Sequence, residues 1–90
     1  MAYEVEITPE GLRHFRRLPE KIRTAVLEAV FGTVAENPHR GGKPLRGELE
    51  GLYSARRGDF RIIYEIDDED RVVLIHRAVH RRGLPTPLSA

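Results

Sequence analysis

Apolar and polar residues first alternate along this chain, then repeat at helical spacing, then alternate again. Tyr3-Glu4-Val5-Glu6-Ile7 sets apolar against acidic positions with period two, which predicts a half-buried strand. Thr8-Pro9-Glu10 then carries the marks of a helix start: a capping hydroxyl, a proline suited to the first turn and an acid that complements the helix dipole. Leu12, Phe15 and Leu18 form the apolar stripe of this helix, and Pro19 ends it and opens the next. Ile22, Val26, Ala29, Val30 and Val34 keep helical spacing to about residue 35, where Asn37-Pro38 stops the second helix.

Glycines and prolines among basic residues make 37–51 a predicted loop. Strands follow at roughly 52–57, 60–66 and 71–80, with Gly58-Asp59 and the acidic stretch Asp67–Asp70 as turns. The order predicts an α+β fold: an N-terminal β-strand, a two-helix hairpin, then three antiparallel strands (β-α-α-β-β-β), with the helices packed on one face of the sheet. A single domain is expected over residues 1–82, with an irregular C-terminal tail over residues 83–90.

Alternation also sorts the hairpin by face. Leu52, Ser54 and Arg56 share one side of their strand, with Tyr53, Ala55 and Arg57 on the other. Arg61, Ile63 and Glu65 oppose Ile62, Tyr64 and Ile66 on the next. Arg56 and Arg61 fall at similar heights across the turn. Two readings stand: they point into one cleft, or they are surface arginines bridging to Asp59 or Glu65. Guanidinium groups fixed on strands beside a tight turn suit phosphate, which they hold through paired, charge-assisted hydrogen bonds.

Net charge is only +1, so the distribution matters more than the total. Residues 39–61 hold six Lys/Arg against three acids, and residues 71–82 hold four Arg, two His and no acid. A basic side is expected, although mixed charge also serves solubility. With 90 residues the core is small. Cysteine is absent, which removes disulfides and thiolate metal sites and fits a cytoplasmic location. No apolar run approaches a membrane span, so no membrane partner is expected.

Several chemistries are unattractive. His76 and His80 on a strand stand roughly 13 Å apart and have no acidic partners to complete a zinc site, so no metal or other cofactor is expected. Gly41-Gly42-Lys43-Pro44 lacks the Walker spacing, and Pro44 has no backbone N–H. Ser54 and Ser89 lack a nucleophile-elbow context.

The chain resembles the RelE/ParE superfamily of bacterial toxins, in particular the RelE-like mRNA interferases. The resemblance runs through the opening Tyr-Glu-Val-Glu-Ile-Thr-Pro, Phe15-Arg16-Arg17-Leu18-Pro19, Lys43-Pro44-Leu45-Arg46-Gly47, the run Arg56 to Tyr64, and His80-Arg81-Arg82. It implies a type II toxin neutralised by a cognate antitoxin in a toxin–antitoxin hetero-oligomer. It also implies metal-independent cleavage of messenger RNA in the ribosomal A site, by attack of the substrate's 2′-hydroxyl on the adjacent phosphate. Catalytic roles then fall to Arg61, Arg81 and Arg56, with His80 as a general acid or base, and RNA contacts to Lys43, Arg46, Arg57 and Arg82. Two departures stand out: some relatives carry a second basic residue where this chain has Ser54, and the tyrosine that many relatives place after the last basic motif is replaced by Gly83-Leu84-Pro85. The alternatives are a ParE-like DNA gyrase poison and a catalytically weakened toxin that retains antitoxin binding.

Overall fold

The structure, a computed structural model, describes residues 2–80. Arg81, Arg82 and the expected 83–90 tail lie outside the described residues.

β1 (Glu4–Ile7) leads into α1 (Pro9–Arg17), whose start follows the chemistry of its first residues. The Thr8 hydroxyl accepts from the Gly11 amide at 3.0 Å and donates to the Ile75 carbonyl at 3.1 Å, so one side chain caps α1 and ties it to the sheet. Gly11 lies so close to the sheet that a Cβ there would stand 2.5 Å from the Ile75 oxygen. This approach centres the inward face of α1 on Gly11 and Phe15 and turns Leu12 outward, 41% exposed, against the expected stripe. Leu18 closes the helix, and Pro19 caps α2 (Glu20–Ala29). The helical path continues through a π-helical turn (Val30–Val34) to residue 36. Val26, Val30 and Val34, spaced by four, are all fully buried.

The segment expected to be a plain loop holds three short elements. α3 (Pro38–Gly41) is capped by the Asn37 side chain, β2 spans Lys43–Pro44, and a 3₁₀ turn covers Gly47–Leu49. Glycine and proline spacing does not disclose β2, because its two residues are held by pairing with β3 (Leu52–Arg57) and not by their own propensity. β4 (Phe60–Asp67) and β5 (Val72–His80) complete a five-stranded sheet in the order β1-β5-β4-β3-β2. β1 runs parallel to β5 and the other pairs are antiparallel.

The helices cover one face. Ala55, Ile62, Tyr64, Val73, Ile75 and Ala78 meet Phe15 and the three valines there in a single core. A bulge keeps β5 in step with that core. Ile63 pairs with Arg77 but Tyr64 pairs with Ile75, leaving His76 as the extra residue. Val73 and Ile75 precede the bulge at odd positions and Ala78 follows at an even one, yet all three reach the helix face.

Tyr64 is the largest fully buried side chain, and its hydroxyl donates to the Pro38 carbonyl at 2.6 Å. That bond fixes the start of α3, from which the chain runs directly into β2. No described helix is long and apolar enough to cross a membrane. Replacing Tyr64 by Phe leaves the buried Pro38 oxygen without its donor, and the expected cost is roughly 1–3 kcal/mol. Urea unfolding followed by circular dichroism reads this as a lower midpoint at unchanged slope; an unchanged midpoint contradicts the assigned role.

Candidate functional site

On the face away from the helices, β3, β4 and the Arg40–Leu45 segment enclose an open cleft of about 530 Å³. Its lining includes Arg40, Lys43, Ser54, Arg56 and Arg61 and, among the described residues, contains no acid. The β-register explains the convergence. Arg56 and Arg61 are direct cross-strand partners, and Lys43 stands opposite Ser54 from the other side. Like charges placed opposite each other repel, so this pairing works against the sheet unless an anion relieves it. Arg56 Nε donates to the Gly58 carbonyl at 3.4 Å, which angles its guanidinium across the turn. Gly58 itself, at φ 60, supplies the left-handed residue of the two-residue connection. None of the four cations takes part in an ion pair among the described residues. The expected alternative, bridges to Asp59 or Glu65, is absent there: Glu65 instead meets His76 at 3.1 Å.

The other sequence-derived site residues separate. Arg57 alternates to the helix face and lines two openings beside α2, one with Glu28, Ala29 and also Arg56, the other with Ile22 and Ala25. Arg46 caps the 3₁₀ turn and is not in the cleft lining. His80 is also on the helix face, its ring 5.1 Å from Phe60 in an edge-to-face arrangement. The bulge is the reason. Without the extra residue at 76, the parity of β5 would carry position 80 to the side of Arg61. Beyond the bulge, Arg61 pairs with Val79 and Phe60 with His80 in regular register, so no second irregularity reverses that placement. Arg40 joins the cleft without having been singled out. Its only signal in the sequence was a basic residue just before Gly41-Gly42.

The cleft wall is braced from behind. Gly42 backs onto β3 so closely that a Cβ would stand 2.5 Å from the Tyr64 hydroxyl and 2.7 Å from the Ser54 carbonyl. The Tyr53 and Tyr64 rings stack at 5.7 Å. Burial, followed by the neighbouring Tyr53, pushes the Tyr64 phenol up to about 12. His39 Nε2 reaches Asp68 at 2.9 Å, and Tyr3 donates to the same carboxylate at 2.7 Å. Asp68 therefore does more than solvate its turn: it ties α3 and the N-terminal segment to the β4–β5 connection. The hydrogen bond from His39, seconded by Tyr3, holds its carboxyl below the usual range.

The chain matches the family model for the ParE toxin of the type II toxin-antitoxin system, parDE, over residues 5–85. It is 58% identical over 77 residues to Toxin RelE of Mycobacterium tuberculosis, covering 84% of this chain and 79% of that protein. Toxin RelG of the same organism is 48% identical over 84 residues, covering 93% and 97%. The fold superposes on a chain of the toxin–antitoxin complex RelBE2 from M. tuberculosis with a TM-score of 0.86, at 47% identity and covering 90% and 93% of the two chains.

A depressed carboxyl stabilises the fold at pH values above its ordinary range, and that contribution is lost as pH falls through its lowered folded range. In urea titrations taken downward from about pH 4, Asp68→Asn is expected to show a shallower acid loss of stability than the wild type. Superimposable acid limbs contradict the brace.

Proposed function

The chain belongs to the ParE/RelE family of type II toxins, and from that premise we propose that it is a RelE-like toxin that cuts messenger RNA on the ribosome. The observation that carries this reading is the open-face cleft, where Arg40, Lys43, Arg56 and Arg61 converge with no carboxylate among the described lining residues. Such a site fits a polyanion and, within it, a phosphate on which charge builds during reaction. The likeness to two toxins named RelE and RelG, each at high identity, supports RNA chemistry over gyrase binding. The ParE name of the family model is the specific observation in favour of the alternative, a gyrase poison.

In the proposed reaction the substrate's 2′-oxygen forms a bond to the adjacent phosphorus as the bond to the 5′-oxygen breaks. The products are a 2′,3′-cyclic phosphate and a 5′-hydroxyl. Arg61 and Arg56 hold the phosphate and offset charge on its oxygens, while Lys43 and Arg40 guide the strand entering the cleft. Among the described residues, the lining has no histidine or carboxylate. The cleft therefore contributes position and charge. The proton lost from the 2′-hydroxyl is balanced by the one gained at the 5′-oxygen, and neither transfer falls to a histidine or carboxylate among the described lining residues. His80 has no part in it, because it faces the helices. With so small a set of groups, the ribosome presents the strand in a reactive geometry. The same reading supplies a cognate antitoxin as partner, in a hetero-oligomer. The structure of a relative's toxin–antitoxin complex supports it. A cytoplasmic site of action follows from a ribosomal substrate.

Single-turnover cleavage of message on programmed ribosomes tests the assignment. Arg61→Ala is expected to slow cleavage about a hundredfold, the usual scale for losing one transition-state charge contact. Arg56→Ala slows it less, and His80→Ala leaves the rate close to wild type. Intact message accompanied by gyrase-linked DNA breaks overturns the reading, and unchanged rates for both arginine variants overturn the site.

A further inference from the structure

We propose that Ser54 Oγ and Arg61 Nε form a two-donor seat for a single phosphodiester oxygen, so that Ser54 is a substrate-binding residue of the cleft; this rests on the reading of the chain as a nuclease.

Among the described residues, two buried side-chain polar atoms lack a hydrogen-bond partner, and they are these two. Both belong to residues lining the same cleft. Buried polar atoms are satisfied in the great majority of cases, so two orphans at one place ask for a common explanation. Ser54 is only 7% exposed, and its position in the sheet surrounds it with cations. Lys43 stands directly opposite on β2. Arg56 follows two residues along β3 on the same side. Arg61 is the diagonal neighbour on β4, two residues before Ile63, the direct partner of Ser54.

Lysine and arginine side chains carry donors and no acceptor. These cationic side chains therefore give the Ser54 hydroxyl nothing to donate to, and among the described residues Arg61 Nε–H has no acceptor within hydrogen-bond reach. What both atoms lack is an acceptor, and the surrounding charge selects a negative one. A base edge presents donors as well as acceptors and carries no charge. A non-bridging phosphate oxygen is acceptor-only and anionic, and it suits two unpartnered donors from one cleft lining.

The proposal separates from a packing role through stability. A hydroxyl kept for packing contributes to the fold, and its removal lowers the melting temperature. A buried hydroxyl without a partner opposes folding, and its removal raises that temperature while function falls. Ser54→Ala is therefore expected to melt higher than the wild type and to perform worse. Ser54→Thr, which keeps the hydroxyl on a β-branched side chain suited to a strand, restores performance.

Two measurements read this. In the first, inorganic phosphate is titrated into the purified chain while the Arg61 Nε–H resonance is followed by ¹⁵N NMR. In the second, single-turnover cleavage is measured on programmed ribosomes. Phosphate is expected to shift the Arg61 resonance, and Ser54→Ala is expected to weaken both phosphate affinity and cleavage about tenfold, the scale of one hydrogen bond to a charged group. Ser54→Thr stays near wild type in both. A wild type that cuts no message overturns the nuclease reading, and the phosphate titration still decides the seat. If Ser54→Ala binds phosphate as the wild type does, or melts lower, the seat is overturned whatever the cleavage result.

Discussion

His76 is one residue more than the β4–β5 pairing requires, and that excess decides where the last strand's side chains point. A strand has period two, so an added residue exchanges its faces from that point on. The exchange brings Ala78 into the core against the helices. It also takes His80 to the helix face beside Phe60 and leaves Arg77 and Val79 on the open one. The core and the chemistry of this chain thus depend on one irregularity. A regular β5 would place Ala78 among the cations of the open face and charge among the buried valines.

The second requirement is a wall for the cleft. Helices cover only one side of the sheet, and an open sheet face does not by itself make a concave site. Residues 38–44 supply the concavity, and three contacts, two in the interior and one at the surface, hold them in place. Tyr64 anchors Pro38 from the core, Gly42 lets the chain lie against β3, and Asp68 holds His39 from the far turn. The repulsion between Arg56 and Arg61 is carried by this scaffold. Strands fixed by a hydrophobic core keep two guanidiniums opposite each other that would separate on a mobile loop. Preorganised positive charge of this kind needs no rearrangement when an anion arrives.

Much of this was legible in the residues. The Thr8-Pro9 cap, the run Val26, Val30 and Val34, and the Gly58-Asp59 turn each follow from local rules, and together they set the α+β order. The pairing of Arg56 with Arg61 follows from alternation around a two-residue turn. What escaped depends on distant partners. β1 runs parallel to β5, and no local pattern states which edge an N-terminal strand will join. β2 exists because β3 is beside it. The bulge at His76 has no glycine or proline to mark it, so the face of His80 was not readable. Arg57 shares the basic run of Arg56 but belongs to the other face. Ser54 stood in the sequence as the place where a cation was missing, and in the fold it is a buried hydroxyl amid cations.

The central claim is that the open-face cleft, and not the helix face, receives the phosphate of the strand to be cut. A structure of the chain bound to a programmed ribosome carrying a 2′-deoxy nucleotide at the cleavage point, which leaves no 2′-hydroxyl to attack, tests it most directly. A messenger phosphate is expected within hydrogen-bond distance of Arg61 and Ser54, with Arg56 and Lys43 flanking it. Message held against the helix face, or an open-face cleft turned away from the strand, would contradict it.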